Sequence, residues 1–122
     1  MRPSLTIILF AILVSCTKPD PAPTIPMLLI GNWNKTGEFL DDVVTPFTPL
    51  RLVFTENVLT IENDSITFNL NWIYVKENGR DLLILTGPTG VLEKEIDFIS
   101  PKEVYFHLQP GCNCVEKFDK VN

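Results

Sequence analysis

The chain has 122 residues and a formal net charge of −5 at neutral pH, and 45% of its residues are hydrophobic. Its length predicts a single domain. The acidic balance argues against nucleic acid as a partner and against direct electrostatic docking on anionic lipid, because both need clustered positive charge.

The first residues have the pattern of a secretory signal peptide. Arg2 supplies the positive charge, and an apolar run of ten residues, Leu5–Val14, follows it. The run is too short to span a bilayer, which takes about 20 apolar residues. An ordinary signal peptide, or a buried helix followed by an incidental cysteine, would also contain such a run.

The run ends in Leu-Val-Ser-Cys, residues 13–16, which resembles the lipobox of bacterial lipoproteins. The resemblance implies that residues 1–15 are removed and that Cys16, acylated with chains such as palmitate, becomes the lipid anchor. Two or more acyl chains hold a protein stably on a membrane. Thr17 stands where an Asp would retain such a protein at the inner membrane. The resemblance therefore implies the outer membrane, on its periplasmic or its surface side.

A proline-rich tether is predicted over residues 16–27. Prolines at positions 19, 21, 23 and 26 favour an extended polyproline conformation of ~3.1 Å per residue. The remaining residues, 28–122, are predicted to form the folded domain.

Period-two alternation of apolar residues predicts β-strands throughout that domain. On the clearest strand Phe68, Trp72 and Tyr74 share one face, and Asn78-Gly79 after it predicts a tight hairpin turn. One strand after Trp33 precedes others over residues 50–55, 58–62, 66–75, 81–86, 91–99, 103–108 and 114–120. About eight strands in sequential order with short connections predict an all-β fold, a small antiparallel up-and-down barrel. A β-sandwich is the alternative that fits the same pattern.

The stretch Leu-Leu-Ile-Gly-Asn-Trp, residues 28–33, resembles the entrance motif of lipocalin-like proteins. The resemblance implies a short helical turn before the first strand, with Gly31 allowing a close approach of the chain and Trp33 plugging the closed end of the barrel. Members of that family often place an Arg of the last strand over this Trp. Lys117 or Lys120 would take that place here, with a weaker cation–π contact.

The stripe of Phe68, Trp72 and Tyr74 is predicted to line a site for a small apolar ligand, or else to belong to the core. An eight-stranded barrel is just wide enough to be filled by side chains or to hold one small ligand. Both interpretations therefore fit the pattern of this strand.

The segment 38–49 is predicted as a long loop, and long loops in compact domains are often functional lids. Its Phe39 and Phe47 would complete the ligand site by covering an apolar mouth, or would fold back on the loop itself. The paired carboxylates Asp41-Asp42 lie in the same loop, where solvated acidic pairs are far commoner than catalytic ones.

Cys112 and Cys114 are the two cysteines that remain once Cys16 is lipidated. An oxidising compartment and the turn expected at Pro110-Gly111 favour a disulfide between them. A metal site that adds His107 is the alternative. Its spacing matches no strong zinc pattern, so no metal and no cofactor are predicted.

The chain has one histidine and lacks the motifs of nucleophilic hydrolases, metallohydrolases and phosphate-binding loops. Glu93, Glu95 and Asp97 share a strand face and are interpreted as a solvated outer surface. The sequence therefore predicts a lipoprotein that is not an enzyme and that binds a small apolar ligand. The alternative is an anchored module with a filled core that binds or inhibits another protein of the cell envelope.

Overall fold

The computed structural model describes residues 23–108 and 112–121. The predicted signal peptide, the lipidation of Cys16, the tether up to residue 22 and the Pro110-Gly111 turn lie outside the described residues. The elements are α1 (Ile25–Leu29), β1 (Gly31–Leu40), β2 (Val43–Val44), β3 (Arg51–Phe54), β4 (Val58–Glu62), β5 (Thr67–Glu77), β6 (Arg80–Gly87), β7 (Gly90–Ser100), β8 (Glu103–His107) and β9 (Cys114–Val121). Among these residues no helix combines the length and the apolar character that a membrane crossing requires.

The strands form one closed antiparallel barrel. From β3 to β9 each strand pairs with the next, and β1 pairs with β3 on one side and with β9 on the other. The short β2 adds to the far end of β1 as a ninth strand outside the closed ring. This topology confirms the predicted up-and-down barrel, and closure leaves each of the eight ring strands with a neighbour on both sides.

Residues with positive φ make two of the hairpin turns. Asn78 and Gly79 have φ of 52° and 76°, which is the two-residue turn that their sequence predicts. Asp41 and Asp42 have φ of 50° and 68° and turn β1 back into β2 in the same way. The prediction of a loop over 38–49 is therefore wrong for residues 38–44, because Asp, like Asn, tolerates the left-handed conformation that such a turn needs.

The barrel has two distinct ends. At the closed end lie α1 and the turns at 55–57, 78–79 and 101–102. At the open end lie the turns at 63–66 and 88–89 and the loop at 45–50. Helix α1 begins inside the segment predicted as tether, and its Leu29 is fully buried against the barrel core.

Inward-facing apolar side chains alternate with outward-facing ones along the strands, and the inward set fills the closed half of the barrel. Two edge-to-face aromatic pairs, Phe54 with Trp72 and Phe106 with Phe118, lie at its centre with ring centroids 5.3 Å and 5.2 Å apart. The buried cluster comprises Leu29, Trp33, Leu52, Phe54, Leu59, Trp72, Leu83, Leu85, Ile96, Val104, Phe106 and Phe118. The core is therefore built by the inward faces of all eight ring strands and by α1.

Candidate functional site

Trp33 fills the closed end of the barrel. Its ring is fully buried and meets Phe98 edge-on, with centroids 6.0 Å apart. The indole Nε1 donates a hydrogen bond of 2.8 Å to the carbonyl of Leu29 in α1. This side chain has no free surface for a ligand, and its environment is that of a structural plug.

Lys120 of β9 lies over the Trp33 ring, with its Nζ 5.4 Å from the ring centroid. The same Nζ donates to the carbonyl of Leu28, at 2.9 Å. Of the two lysines considered from the sequence, Lys120 takes this place because Lys117 is on the opposite face of β9. Gly31 has φ of 134°, and a Cβ added there would come within 2.8 Å of Lys120 Cε. A glycine at residue 31 therefore leaves room for the Lys120 side chain.

Two members of the predicted ligand stripe, Trp72 and Tyr74, use their polar atoms in hydrogen bonds within the protein. Trp72 is buried and donates from Nε1 to the carbonyl of Thr55, at 2.8 Å. Tyr74 packs against the core, and its hydroxyl donates to the Asp81 carboxylate. That hydrogen bond, together with burial and the charge of Asp81, raises the pKa of Tyr74 to about 12. Trp72 and Tyr74 therefore belong to the filled half of the barrel.

The third member, Phe68, lies at the open end and is 45% exposed. Together with Leu70, Leu85 and Leu92 it forms a groove of about 290 Å³, here called the mouth groove, on the inner face of β5, β6 and β7. Leu92 is 51% exposed in this groove. A Cβ on Gly87 would come within 2.6 Å of Leu70 Cδ2, so the absence of a side chain at residue 87 leaves room for the side chain of Leu70.

Phe39 and Phe47 do not share one site. Phe47 lies at the mouth, where its ring centroid is 5.7 Å from Lys35 Nζ. Phe39 lies on the outer face, 6.3 Å from the Tyr105 ring, and the prediction that it covers the mouth is wrong. The reason is a register shift between Lys35 and Gly37, which reverses the alternation of β1 and turns Phe39 outward.

Charged side chains line the barrel interior on the side of β1 and β9. Lys35 is opposite Phe118, and its side chain is only 8% exposed. Its Nζ is 2.7 Å from Glu116 Oε2 and 3.6 Å from Glu38 Oε2. These three residues are called the inner ion cluster. The sequence analysis missed it, although Lys35 stands two residues after Trp33 and Glu116 two before Phe118, so alternation places both inside.

Cys114 and His107 lie on different faces of the barrel wall. His107 is opposite Val115 and points outward, whereas Cys114 is buried on the inward face of β9. The alternative metal site of His107 with both cysteines is therefore not assembled. Cys112 and Cys114 have Cα atoms 5.2 Å apart and sulfur atoms in contact, close to the carboxylate of Asp41. The disulfide between them stays a prediction.

Comparison of the chain with protein-family models, with curated proteins and with solved structures found no match in any of the three. The molecule belongs structurally to the class of small closed antiparallel barrels with one filled and one open end. The side chains at that open end therefore form the candidate functional site.

Proposed function

We propose that this chain is a lipid-anchored, lipocalin-like barrel of the outer membrane that binds a small apolar ligand at its open end. The observation that carries the proposal is the mouth groove. Its Phe68 and Leu92 are about half exposed although both point inward, and a concave apolar surface of this kind is typical of ligand sites.

The filled closed half limits the size of the ligand. The aromatic rings of Trp33, Trp72 and Phe54 occupy the interior below the groove. A volume of about 290 Å³ is near the lower end of the range for ligand sites, roughly 300–1,000 Å³. A compact apolar group or a short acyl segment therefore fits, whereas a long chain would project from the mouth.

The inner ion cluster makes the opposite wall polar. β1 and β9 lie across the barrel from β5 and β6 in the strand order, so Lys35 and Glu116 face the apolar wall. A ligand with an apolar body and one polar group would match both walls. The apolar body would lie on Leu70 and Leu92, and the polar group would turn towards the charged side.

The proposed anchor and the groove lie at opposite ends of the domain. The lipobox-like residues 13–16 precede α1, and α1 enters the barrel at its closed end. A lipid at Cys16 would therefore attach the domain by the end away from the mouth, which leaves the groove accessible. Cys16→Ser should move the protein out of the membrane fraction, and retention in that fraction would contradict the anchor.

Native mass spectrometry of the full chain, purified from its own host in detergent, tests the ligand. We expect a small molecule to be retained by the wild type and lost from Leu92→Glu, which places a charge in the groove. Ile73→Glu is the matched control, because Ile73 is 59% exposed on the outer face of β5. A wild type without a retained molecule, or a retained molecule unaffected by Leu92→Glu, would refute the proposal.

One observation favours the alternative, an anchored module that binds another envelope protein. Within the described residues, β7 pairs with β8 only from Ile96 onward, so its half from Gly90 to Lys94 pairs with β6 alone. An exposed strand edge can accept a strand from a partner. A photo-crosslinker at Val91 should then capture one defined envelope protein in living cells, whereas the same crosslinker at Ile73 should not.

A further inference from the structure

Two antiparallel strands bring three metal-ligating side chains together on the outer face of the barrel. Ile96 of β7 pairs with Phe106 of β8, and both are buried in the core. Their neighbours therefore point outward. This register places Glu95 opposite His107, with Asp97 diagonal to the histidine on the same face.

The ligand atoms of these residues are close enough to share one ion. His107 Nε2 is 2.6 Å from Asp97 Oδ2, and one ligand atom from each of the three residues lies within 4.8 Å of the others. Ligands bound tetrahedrally at about 2.0–2.2 Å from an ion are about 3.4 Å from one another. The separations in the structure, from 2.6 Å to at most 4.8 Å, lie on both sides of that value.

We propose that Glu95, Asp97 and His107 form a binding site for a divalent first-row transition metal ion, with Zn²⁺ as the probe. One imidazole nitrogen and two carboxylate oxygens suit zinc and its neighbours in the first row. Mg²⁺ and Ca²⁺ prefer oxygen ligands alone and would bind less well. This site is separate from the mouth groove and does not depend on the proposed ligand.

The charges around the cluster favour a cation. The two carboxylates balance the charge of a divalent ion. Two cations lie near the cluster: Lys94 Nζ is 3.4 Å from the carbonyl oxygen of His107, and the competing guanidinium of Arg80 has its Nη1 3.4 Å from Glu95 Oε1. That pair is solvent-exposed, and exposed pairs contribute little, so a metal ion can displace the guanidinium.

A recess beside the cluster provides room to complete the coordination. It has a volume of about 360 Å³, and its wall includes Asp97, His107 and the aromatic rings of Phe39 and Tyr105. Asp42 also faces this recess, and its Oδ1 accepts a hydrogen bond of 3.1 Å from Asn113. Three protein ligands and a fourth position open to water would give the arrangement found in zinc sites that are not closed.

Titration calorimetry with Zn²⁺, on the full chain in detergent after treatment with EDTA, tests the site. The background is Cys112→Ser with Cys114→Ser, because Asp41 and the two cysteines are a second group of potential ligands. We expect one equivalent of Zn²⁺ to bind in this background. Mg²⁺ in its place should give no saturable binding.

His107→Gln and Asp97→Asn should each weaken zinc binding at least about tenfold. The matched control is Glu93→Gln, an acidic residue of the same strand and face outside the cluster, which should leave binding unchanged. Thermal melts without metal should change little in all three variants, because none of these side chains is buried and the contact between His107 and Asp97 is solvent-exposed. Absence of saturable binding, or full binding by His107→Gln, would overturn the proposal.

Cobalt gives a second readout that separates the two groups of ligands. Co²⁺ bound to His107 and the carboxylates should show weak visible bands without a thiolate charge-transfer band, in the wild type as well as in the double serine background. A thiolate band in the wild type that disappears with the cysteines, together with loss of binding, would assign the metal to the sulfur group and refute the site on β7 and β8.

Discussion

Lys35 and Glu116 meet inside the barrel, with Nζ 2.7 Å from Oε2, although they are far apart in the sequence. β1 and β9 close the ring by pairing, and this closure is what brings the two side chains together. Glu38 adds a second carboxylate to the same ammonium. The open half of the barrel is thus divided between a charged wall and an apolar one.

Lys35→Met should lower the free energy of unfolding by about 3 kcal/mol, because it leaves Glu116 and Glu38 facing each other in a largely buried site. Arg51→Met is the control, since the Arg51–Glu62 pair is solvent-exposed and its loss should cost less than about 1 kcal/mol. Urea denaturation measures both variants. Equal losses would show that the inner ion cluster is no more important than a surface pair.

Alternation in the sequence predicted the strands and most of the core. Inward residues recur at every second position of a strand, and this pattern can be seen without knowing the fold. It would also have placed Lys35 and Glu116 inside, had the period been followed through the charged residues. The bulge after Lys35 is different, because its local mark is a single residue, Gly37: a lone glycine within a strand often indicates a bulge but does not give the register that results. It brings Glu38 inside and Phe39 outside, and so moves one predicted ligand residue to the other face.

The exposure of the mouth groove also depends on the whole barrel. β7 has eleven residues and β8 has five, and β5 pairs with β6 only from Asn71 onward. At the open end the first residues of β5 therefore extend past β6, and the first half of β7 extends past β8, so Phe68 and Leu92 point inward but remain partly uncovered. Local pattern predicts the direction of a side chain, and only the relative lengths of paired strands decide whether anything covers it.

Gly31 and Gly90 form a matched pair of glycines with positive φ, 134° and 143°. An added Cβ meets Lys120 Cε at Gly31 but nothing within 4 Å at Gly90. Both Gly→Ala variants should lose stability through backbone strain, and Gly31→Ala should lose about 1 kcal/mol more, because the Lys120 side chain must move away from the Trp33 ring. Denaturant melts of the two variants, compared with each other, isolate the contact between Gly31 and Lys120.

Combining Gly31→Ala with Lys120→Ala should recover part of that extra loss, since the second substitution removes the atom that clashes. The recovery would be limited, because the cation over the Trp33 ring and its hydrogen bond to Leu28 disappear with the lysine. Full additivity of the two losses would contradict a direct steric contact.

Tyr74 should make stability fall at high pH. Its pKa rises from 10.0 to about 12 in the folded protein, so folding favours the neutral phenol. The resulting stabilisation is fully present below pH 10 and is lost as the pH rises through about 12. Tyr74→Phe should be less stable than the wild type by about 1 kcal/mol at neutral pH, and this difference should shrink over the alkaline range.

Chemical denaturation at several pH values measures that difference. Asp81→Asn is the companion variant, because it removes the charge and the strong acceptor that raise the pKa of Tyr74 while it keeps the phenol. Its pH dependence should be shallower than that of the wild type in the same range. A difference between wild type and Tyr74→Phe that stays constant with pH would contradict the assigned hydrogen bond.

Cys112 and Cys114 should form an intramolecular disulfide in the exported protein. Their Cα atoms are 5.2 Å apart, within the usual range of about 4.4–6.8 Å for bonded cysteines. A loop this short removes little entropy from the unfolded chain, so reduction should lower the free energy of unfolding by at most about 2 kcal/mol. Urea melts with and without dithiothreitol measure that change, and intact mass after alkylation tests the bond itself. With Cys16 acylated, we expect no added alkyl group before reduction and two after it, whereas two groups without reductant would show that both thiols are free.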